Sequence, residues 1–250
     1  MPLDDPNQPP APDAQVARLN VQMRHHAAHD VMRAAVETVP NLALVSSFGA
    51  ESVALLHLAS RVKKDLPVLF IDTEMLFPET LAYQREVAVK LGLTRITVIK
   101  ADDIATLDPD GQLHKTDTDA CCALRKTVPL QKALDGFDGW ITGRKRFQSG
   151  TRAQLPHFET EATQNGAGTR IKVNPLAFWA AEDVQHYIEE NNLPRHPLVA
   201  QGYPSIGCAP CTSPVAAGED PRAGRWRDQS KDECGIHFVD GKAVRIGAST

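Results

Sequence analysis

From Asn41 onward, short apolar runs of strand length alternate with stretches whose apolar residues recur at helical spacing. That rhythm confines the chain to few architectures. LALVSSF, beginning at Leu42, is the first run. ESVALLHLASRV follows it with Val53, Leu56, Ala59 and Val62 on one helical face. PVLFIDT is a second buried run. Pro78 then stands where a helix can begin, and ETLAYQREVAVKLG closes on Gly92, the residue type that a helix C-terminus favours. RITVIKA is a third run, and GWITGR a fourth, after a cysteine-containing helix near 121–134. Strands that read as continuous apolar runs are buried on both faces. The expected fold class is therefore α/β, a parallel twisted sheet flanked by helices. Such sheets bind ligands beyond the carboxyl ends of their strands, which singles out SSFGAES, DTE and GRKR.

The flanks read differently. Residues 1–13 hold five prolines and little apolar bulk, and are expected to form a disordered lead-in. Residues 14–40 form an N-terminal helical segment, with Val16, Leu19, Met23, Val31 and Ala35 at helical spacing. Residues 41–215 are the expected α/β domain, and 216–250 a mobile C-terminal segment. Within the domain, the polar stretch 159–170 reads as a surface turn or hairpin tip. IKVNPL reads as a short strand, and AAEDVQHYIEENN as a helix stopped by Leu193-Pro194. From 195 onward the chain is rich in Pro, Gly, Arg and Cys with little periodicity, so ordering it requires a clamp. The chain of 250 residues is long enough for a core without disulfides. Its net charge of −4 supplies no global basic field for nucleic acid or membrane. No apolar run approaches the roughly 20 residues of a membrane span. The start MPLDDPNQPPAPDA lacks the features of a secretory signal, so the expected location is cytoplasmic. In that reducing setting five cysteines read as metal or redox chemistry.

Ser46-Ser47-Phe48-Gly49-Ala50-Glu51-Ser52 joins a strand to a helix with small residues and hydroxyls. Free N–H groups at a helix start, together with the helix dipole, attract an anion. The ordinary alternative is a strand–helix turn with a serine cap. The common nucleotide fingerprints are absent, but SFGAES resembles the S-G-G-x-D-S phosphate loop of ATP pyrophosphatases, with Phe48 and Glu51 in place of Gly and Asp. The cysteines are arranged as CC-x85-CxxC-x22-C: Cys121, Cys122, Cys208, Cys211 and Cys234. Adjacent side chains on a helix diverge by about 100°. This is awkward for two ligands of one tetrahedral zinc and easier for a cubane, where each thiolate takes its own iron. Four cysteines in two pairs are the count for a [4Fe–4S] centre; zinc and unliganded thiols stay open. Arg125 and Lys126, one helical turn after the pair, offer cations to such an anionic centre. Cys234, in Lys231-Asp232-Glu233-Cys234-Gly235-Ile236-His237, is left over as a candidate nucleophile.

SSFGAES, DTEMLFPETL, CCALRK, GRKRFQSGTR, GCAPC, RAGRW and KDECGIH occur in one order across roughly residues 40–238. The set resembles the sulfonucleotide (PAPS) reductase family, and within it the iron–sulfur branch of assimilatory adenylylsulfate (APS) reductases. The resemblance implies an adenine nucleotide alpha hydrolase-like (ATP pyrophosphatase-like) sheet with an irregular C-terminal segment. It implies a [4Fe–4S] cluster on Cys121, Cys122, Cys208 and Cys211, and reduction of adenylyl sulfate to sulfite and AMP in sulfate assimilation and cysteine biosynthesis. Cys234 would attack the sulfur, with His237 beside it, leaving an S-sulfocysteine that thioredoxin (or glutaredoxin) resolves. Lys126 would lie between cluster and substrate, and Arg222 and Arg225 would hold the phosphosulfate. Ser46, Ser47, Phe48, Gly49, Glu51, Ser52, Asp72, Thr73, Gly143, Arg144 and Arg152 match the nucleotide-binding segments. Thr73-Glu74-Met75 departs from the DTG expected after the second strand. The family cluster is implied to act electrostatically and structurally, not as an electron shuttle.

The near alternative is the same chemistry on PAPS, which calls for further cations at the 3′-phosphate. A cluster-bearing, tRNA-thiolating ATP pyrophosphatase would carry a stricter SGGxDS loop and a basic RNA surface. A non-catalytic iron–sulfur sensor would have no use for KDECGIH. No nucleic-acid or membrane partner is expected, and a homo-oligomer is left open. His25, His26, His29 and His57 receive no functional role.

Overall fold

A computed structural model describes residues 11–163, 168–227, 238–239 and 242–243. Its centre is a six-stranded sheet in the order β3-β2-β1-β4-β6-β5. The strands are β1 (Leu42–Ser46), β2 (Val68–Ile71), β3 (Ile96–Ile99), β4 (Gly139–Ile141), β5 (Phe158–Ala162) and β6 (Thr169–Val173). Five run parallel, and β5 returns antiparallel to β6 at one edge. All five residues of β1 are buried because both faces are covered. Leu42 and Leu44 face one core, with α2 (Ala28–Thr38), α3 (Ser52–Val62), α4 (Pro78–Leu91) and α9 (Ala181–Glu190). Ala43 and Val45 face the other, with Leu130 and Leu134 of α8 (Val128–Leu134). This two-residue alternation is what the unbroken apolar run encoded.

Helix α1 (Pro12–Gln22) takes in the last two residues of the expected lead-in. Pro78 occupies the first turn of α4, and Gly92 ends it in the left-handed conformation at φ +64°. At Gly139 a side chain would collide with the Ile171 carbonyl, so β4 and β6 can pair closely only because this residue is glycine.

Two segments carry more structure than the sequence reading gave them. Within 159–170, residues 159–162 belong to β5 and 169–170 to β6, the two arms of an antiparallel hairpin, with Glu161 and Arg170 buried. Glu161 on β5 accepts from Trp140 Nε1 at 2.9 Å and from Lys172 Nζ at 3.2 Å, all three groups being buried. The expected helix near 121–134 is present as one helical run, α7 (Thr118–Cys122), a π-helical turn at Ala123–Thr127, and α8. Two further single turns, α5 (Ile104–Leu107) and α6 (Leu113–Thr116), precede it.

The chain leaves β1 towards β2 and β3, then crosses back to lay β4 on the other side of β1. The loops after β1 and β4 therefore part at one crevice, where such sheets hold ligands. Residues 194–203 close one side by docking on α4. Tyr83 donates to the Pro194 carbonyl, and the ring of His196 lies 4.9 Å from that of Tyr83. His196 Nδ1 accepts from Leu198 N at 3.2 Å, and Nε2 lies 2.9 Å from Thr80 Oγ1.

Burial drives the His196 pKa down to about 4. The unfolded chain then binds this proton more readily than the folded one between pH 6.5 and 4. The stability from neutral His196 is complete above about pH 6.5 and is lost as pH falls through 4, by about 3 kcal/mol. In denaturant titrations the parent's advantage over His196→Asn is expected to shrink across that window. A pH-independent difference would contradict a neutral, buried His196.

Candidate active site at the strand ends

A cavity of about 240 Å³ opens at the carboxyl ends of the central strands. Its floor is the β1–α3 loop, from which Ser46, Ser47, Gly49, Glu51 and Ser52 reach the wall. Phe48 does not line it. Its ring is fully buried behind the loop and meets Phe70 edge-on at 5.2 Å. Phe48 holds φ +48°, and its N–H donates to Ser46 Oγ at 3.1 Å. A left-handed non-glycine residue costs roughly 1–2 kcal/mol, which burial of the aromatic ring offsets. Phe48 thus shapes the loop from the core side.

The segment after β2 repeats the pattern. Asp72 also stays off the wall; its carboxylate accepts from Glu74 N at 2.9 Å and lies 3.4 Å from Lys100 Nζ. Glu74 adopts φ +58°, at the place where the DTG pattern has glycine, and Lys100 bonds its carboxylate at 3.0 Å. The hydrogen bond to Glu74 and the nearby Asp72 charge raise the Lys100 pKa. Thr73 does reach the cavity. Its Oγ1 lies 3.2 Å from Cys208 Sγ, and its carbonyl accepts from Arg125 Nη1 at 2.9 Å.

Six cations line the cavity: Lys126, Arg144, Lys145, Arg152, Arg222 and Arg225. Glu51 is the one carboxylate among the described wall residues. Lys145 was not singled out in the sequence, although GRKR was. It is buried, and its Nζ donates to Glu51 Oε2 at 2.7 Å. Burial lowers its pKa, and Glu51 opposes that. Glu51 therefore orients a cation beside the loop. Arg144 is held by Glu159, by Asn174 Oδ1 at 3.0 Å and by Thr142 Oγ1 at 3.3 Å, and Arg152 by Gln148. Gly143 leaves room at the β4 end of the wall. The π turn sends its two cations apart. Arg125 turns inward to Asp108 Oδ2 at 2.7 Å, while Lys126 faces the cavity. Such turns recur at functional sites because they re-aim neighbouring side chains.

Cys121 and Cys122 sit buried in the last turn of α7, whose N-terminus Asp117 caps by accepting from Ala120 N at 2.9 Å. Cys208 is buried and Cys211 half-buried, across a 3₁₀ turn closed by Cys211 N to the Cys208 carbonyl at 3.0 Å. Ala209 N donates to the Met75 carbonyl at 2.7 Å, which ties this turn to the β2–α4 loop. Burial raises the Cys121 thiol to about 11; Cys122, Cys208 and Cys211 push it the same way and Arg125 opposes them. Cys121 thus lies within electrostatic reach of the other three sulfurs. Among the described residues no three His, Cys, Asp or Glu side chains gather closely enough to hold a single metal ion. Residues 211–226 fold back as a narrow clamp. Ser213 N donates to the Gly224 carbonyl at 2.8 Å and Trp226 N to the Cys211 carbonyl at 3.1 Å. The Arg225 guanidinium lies over Gly207, in the space a side chain there would take. Cys234 and His237 lie outside the described residues.

The phosphoadenosine phosphosulfate reductase domain model matches residues 41–214. An adenosine 5'-phosphosulfate reductase of Chelativorans sp. is 45% identical over 94% of this chain and 97% of its own length. The crystal structure of phosphoadenylyl-sulfate (PAPS) reductase from Candida auris, in complex with phosphate, superposes with a TM-score of 0.70. It is 30% identical and covers 84% of this chain and all of that one. An FMN adenylyltransferase of Candida glabrata shares the fold at a TM-score of 0.55 and 15% identity, over 83% of this chain and 75% of its own.

At Gly224 an added Cβ would fall on the Ser213 carbonyl oxygen. Gly224→Ala is expected to open the clamp at a cost of about 1–3 kcal/mol. Trypsin should then cleave at Arg222, Arg225 and Arg227 well before the rest of the chain. An unchanged digestion pattern would contradict the clamp.

Proposed function

The chain belongs to the phosphoadenosine phosphosulfate reductase domain family, and from that premise we propose that it reduces adenylyl sulfate to sulfite and AMP in sulfate assimilation. The observation that carries this reading is the cavity itself: among the described residues, six cations and a hydroxyl-bearing loop at a helix start, opposed by one carboxylate that is bonded to Lys145. Such a wall is unfavourable without an anion and suits a phosphosulfate, which stays anionic throughout the reaction. Arginine offers forked contacts and a permanent charge, and lysine a point charge. Arg222, Arg225 and Lys126 take the phosphosulfate, while Ser46, Ser47, Gly49 and Ser52 hold the nucleotide's phosphate side.

The Cys234 thiolate attacks the sulfur of the sulfonate. The S–O bond to AMP breaks, its electron pair leaves with AMP, and an S-sulfocysteine remains. His237 stands beside this thiol in sequence. A thiolate of reduced thioredoxin then attacks the Cys234 sulfur and expels sulfite. Its second thiol resolves the mixed disulfide, so two electrons from the dithiol reduce the sulfur and Cys234 is restored.

Cys121, Cys122, Cys208 and Cys211 fit a [4Fe–4S] cluster on their donor chemistry. They are four thiols with no carboxylate or imidazole among them. Burial disfavours the charged forms of Cys121 and Cys211, and Arg125, Lys126 and Arg225 lie within electrostatic reach of them. A bound cluster would supply charge balance for those cations and a covalent anchor for residues 204–226.

The test is a sulfite assay with reduced thioredoxin, offering adenylyl sulfate and PAPS separately. Sulfite is expected from adenylyl sulfate; none from either would overturn the reading, and a preference for PAPS would replace the substrate. Cys234→Ser is expected to bind nucleotide and retain iron yet make no sulfite, whereas Cys122→Ser loses iron. Sulfite at the parent rate from Cys234→Ser would sink the covalent step.

A further inference from the structure

Thr80 sits in the first turn of α4, is 1% exposed, and lies on the cavity wall. It lies within the motif DTEMLFPETL, where it was given no separate role. That hydroxyl can donate one hydrogen bond and accept two. Its partner is His196, and the imidazole's roles are set from the other side. Nδ1 accepts from Leu198 N, so the ring proton is on Nε2 and is donated to Thr80 Oγ1 at 2.9 Å. No acceptor for the Thr80 hydroxyl proton appears among the described residues: His196 is its side-chain partner, and the backbone N–H of Thr80 goes to Phe77 O. A buried hydroxyl donor without an acceptor costs about 1–3 kcal/mol, so the wall is built for a ligand atom to take that proton. The surroundings select the kind of atom. Thr80 lies in the first turn of α4 and Ser52 in the first turn of α3, and both reach the same cavity, bringing two positive helix ends to it.

Resting on the function proposed above, we infer that Thr80 donates a hydrogen bond to a phosphosulfate oxygen of bound adenylyl sulfate, and that His196 is the positioning residue that aims it. His196 holds the Thr80 oxygen as an acceptor and so leaves its proton to the ligand. Fixing a donor in advance is how such sites bind an anion without reorganising.

Binding is measured by calorimetry in full-length Cys234→Ser, which prevents turnover, with adenylyl sulfate and with adenosine as the probe lacking the anion. Thr80→Val is expected to weaken adenylyl sulfate about tenfold to a hundredfold, as for a lost hydrogen bond to a charged group. It should leave adenosine unchanged, and Thr80→Ser should restore binding. His196→Gln keeps a donor at the Nε2 position and should stay within about threefold of the parent. His196→Asn keeps the Leu198 contact but cannot reach Thr80, and should show most of the Thr80→Val loss. If the Cys234→Ser parent does not bind adenylyl sulfate at all, the proposed function fails and takes this inference with it. If it binds and Thr80→Val binds equally, or loses adenosine to the same degree, this inference alone is overturned. Should Thr80→Val not fold, the His196 pair decides, and equal affinities of the Asn and Gln variants overturn it.

Discussion

Among the described residues, six positive side chains share a cavity of about 240 Å³ with one carboxylate, and the surrounding structure is arranged to hold them against their mutual repulsion. Several devices fix them, Gln148 holding Arg152 among them. Glu51 steadies Lys145, and Glu159 with Asn174 steadies Arg144. The π turn directs Lys126, and the narrow clamp of residues 211–226 carries Arg222 and Arg225. Like charges at this range in a medium less polar than water repel by kilocalories. The arrangement is therefore stable because it belongs to a large core that is anchored elsewhere, on both faces of β1.

Backbone strain is concentrated at the same place. Four non-glycine residues among those described have positive φ, and three of them, Phe48, Glu74 and Trp226, border the site. Each belongs to a segment that must turn sharply to bring small groups or backbone towards the cavity. Phe48 and Glu74 stand where the phosphate-loop and DTG patterns carry glycine. The chain retains the glycine conformation without the glycine. Phe48 does so by burying its ring against Phe70, and Glu74 by bonding Asp72 and Lys100. Strain held in this way is characteristic of sites where geometry matters more than local stability.

The parallel core was legible in the sequence because burial on both faces leaves an unbroken apolar run, as in Leu42–Val45. Strand β5 was not, because its inward side chains are Glu159 and Glu161, whose partners Arg144, Lys172 and Trp140 come from other strands and loops. Composition cannot report pairings across the fold. The loops at the strand ends were legible as a set, and Ser47, Gly49, Ser52, Thr73, Arg144, Arg152, Arg222 and Arg225 do meet at one cavity. The outward or inward sense of individual residues was not: Phe48 and Asp72 face away, and Lys145 faces in. A local motif names a loop, whereas φ at one position decides which side chain faces the ligand. The π turn left no trace in the periodicity, since it shifts hydrogen bonds by one residue without changing which residues are apolar.

The wall of the cavity is drawn from residues between Val45 and Arg225, and its last contributors arrive late in the chain. A nascent chain that has emerged only as far as Tyr203 can already form the six-stranded sheet and the anion loop. It still lacks Cys208, Cys211, Arg222 and Arg225. During synthesis the protein therefore acquires its framework before its second cysteine pair. The first pair, Cys121 and Cys122, is made 86 residues before Cys208.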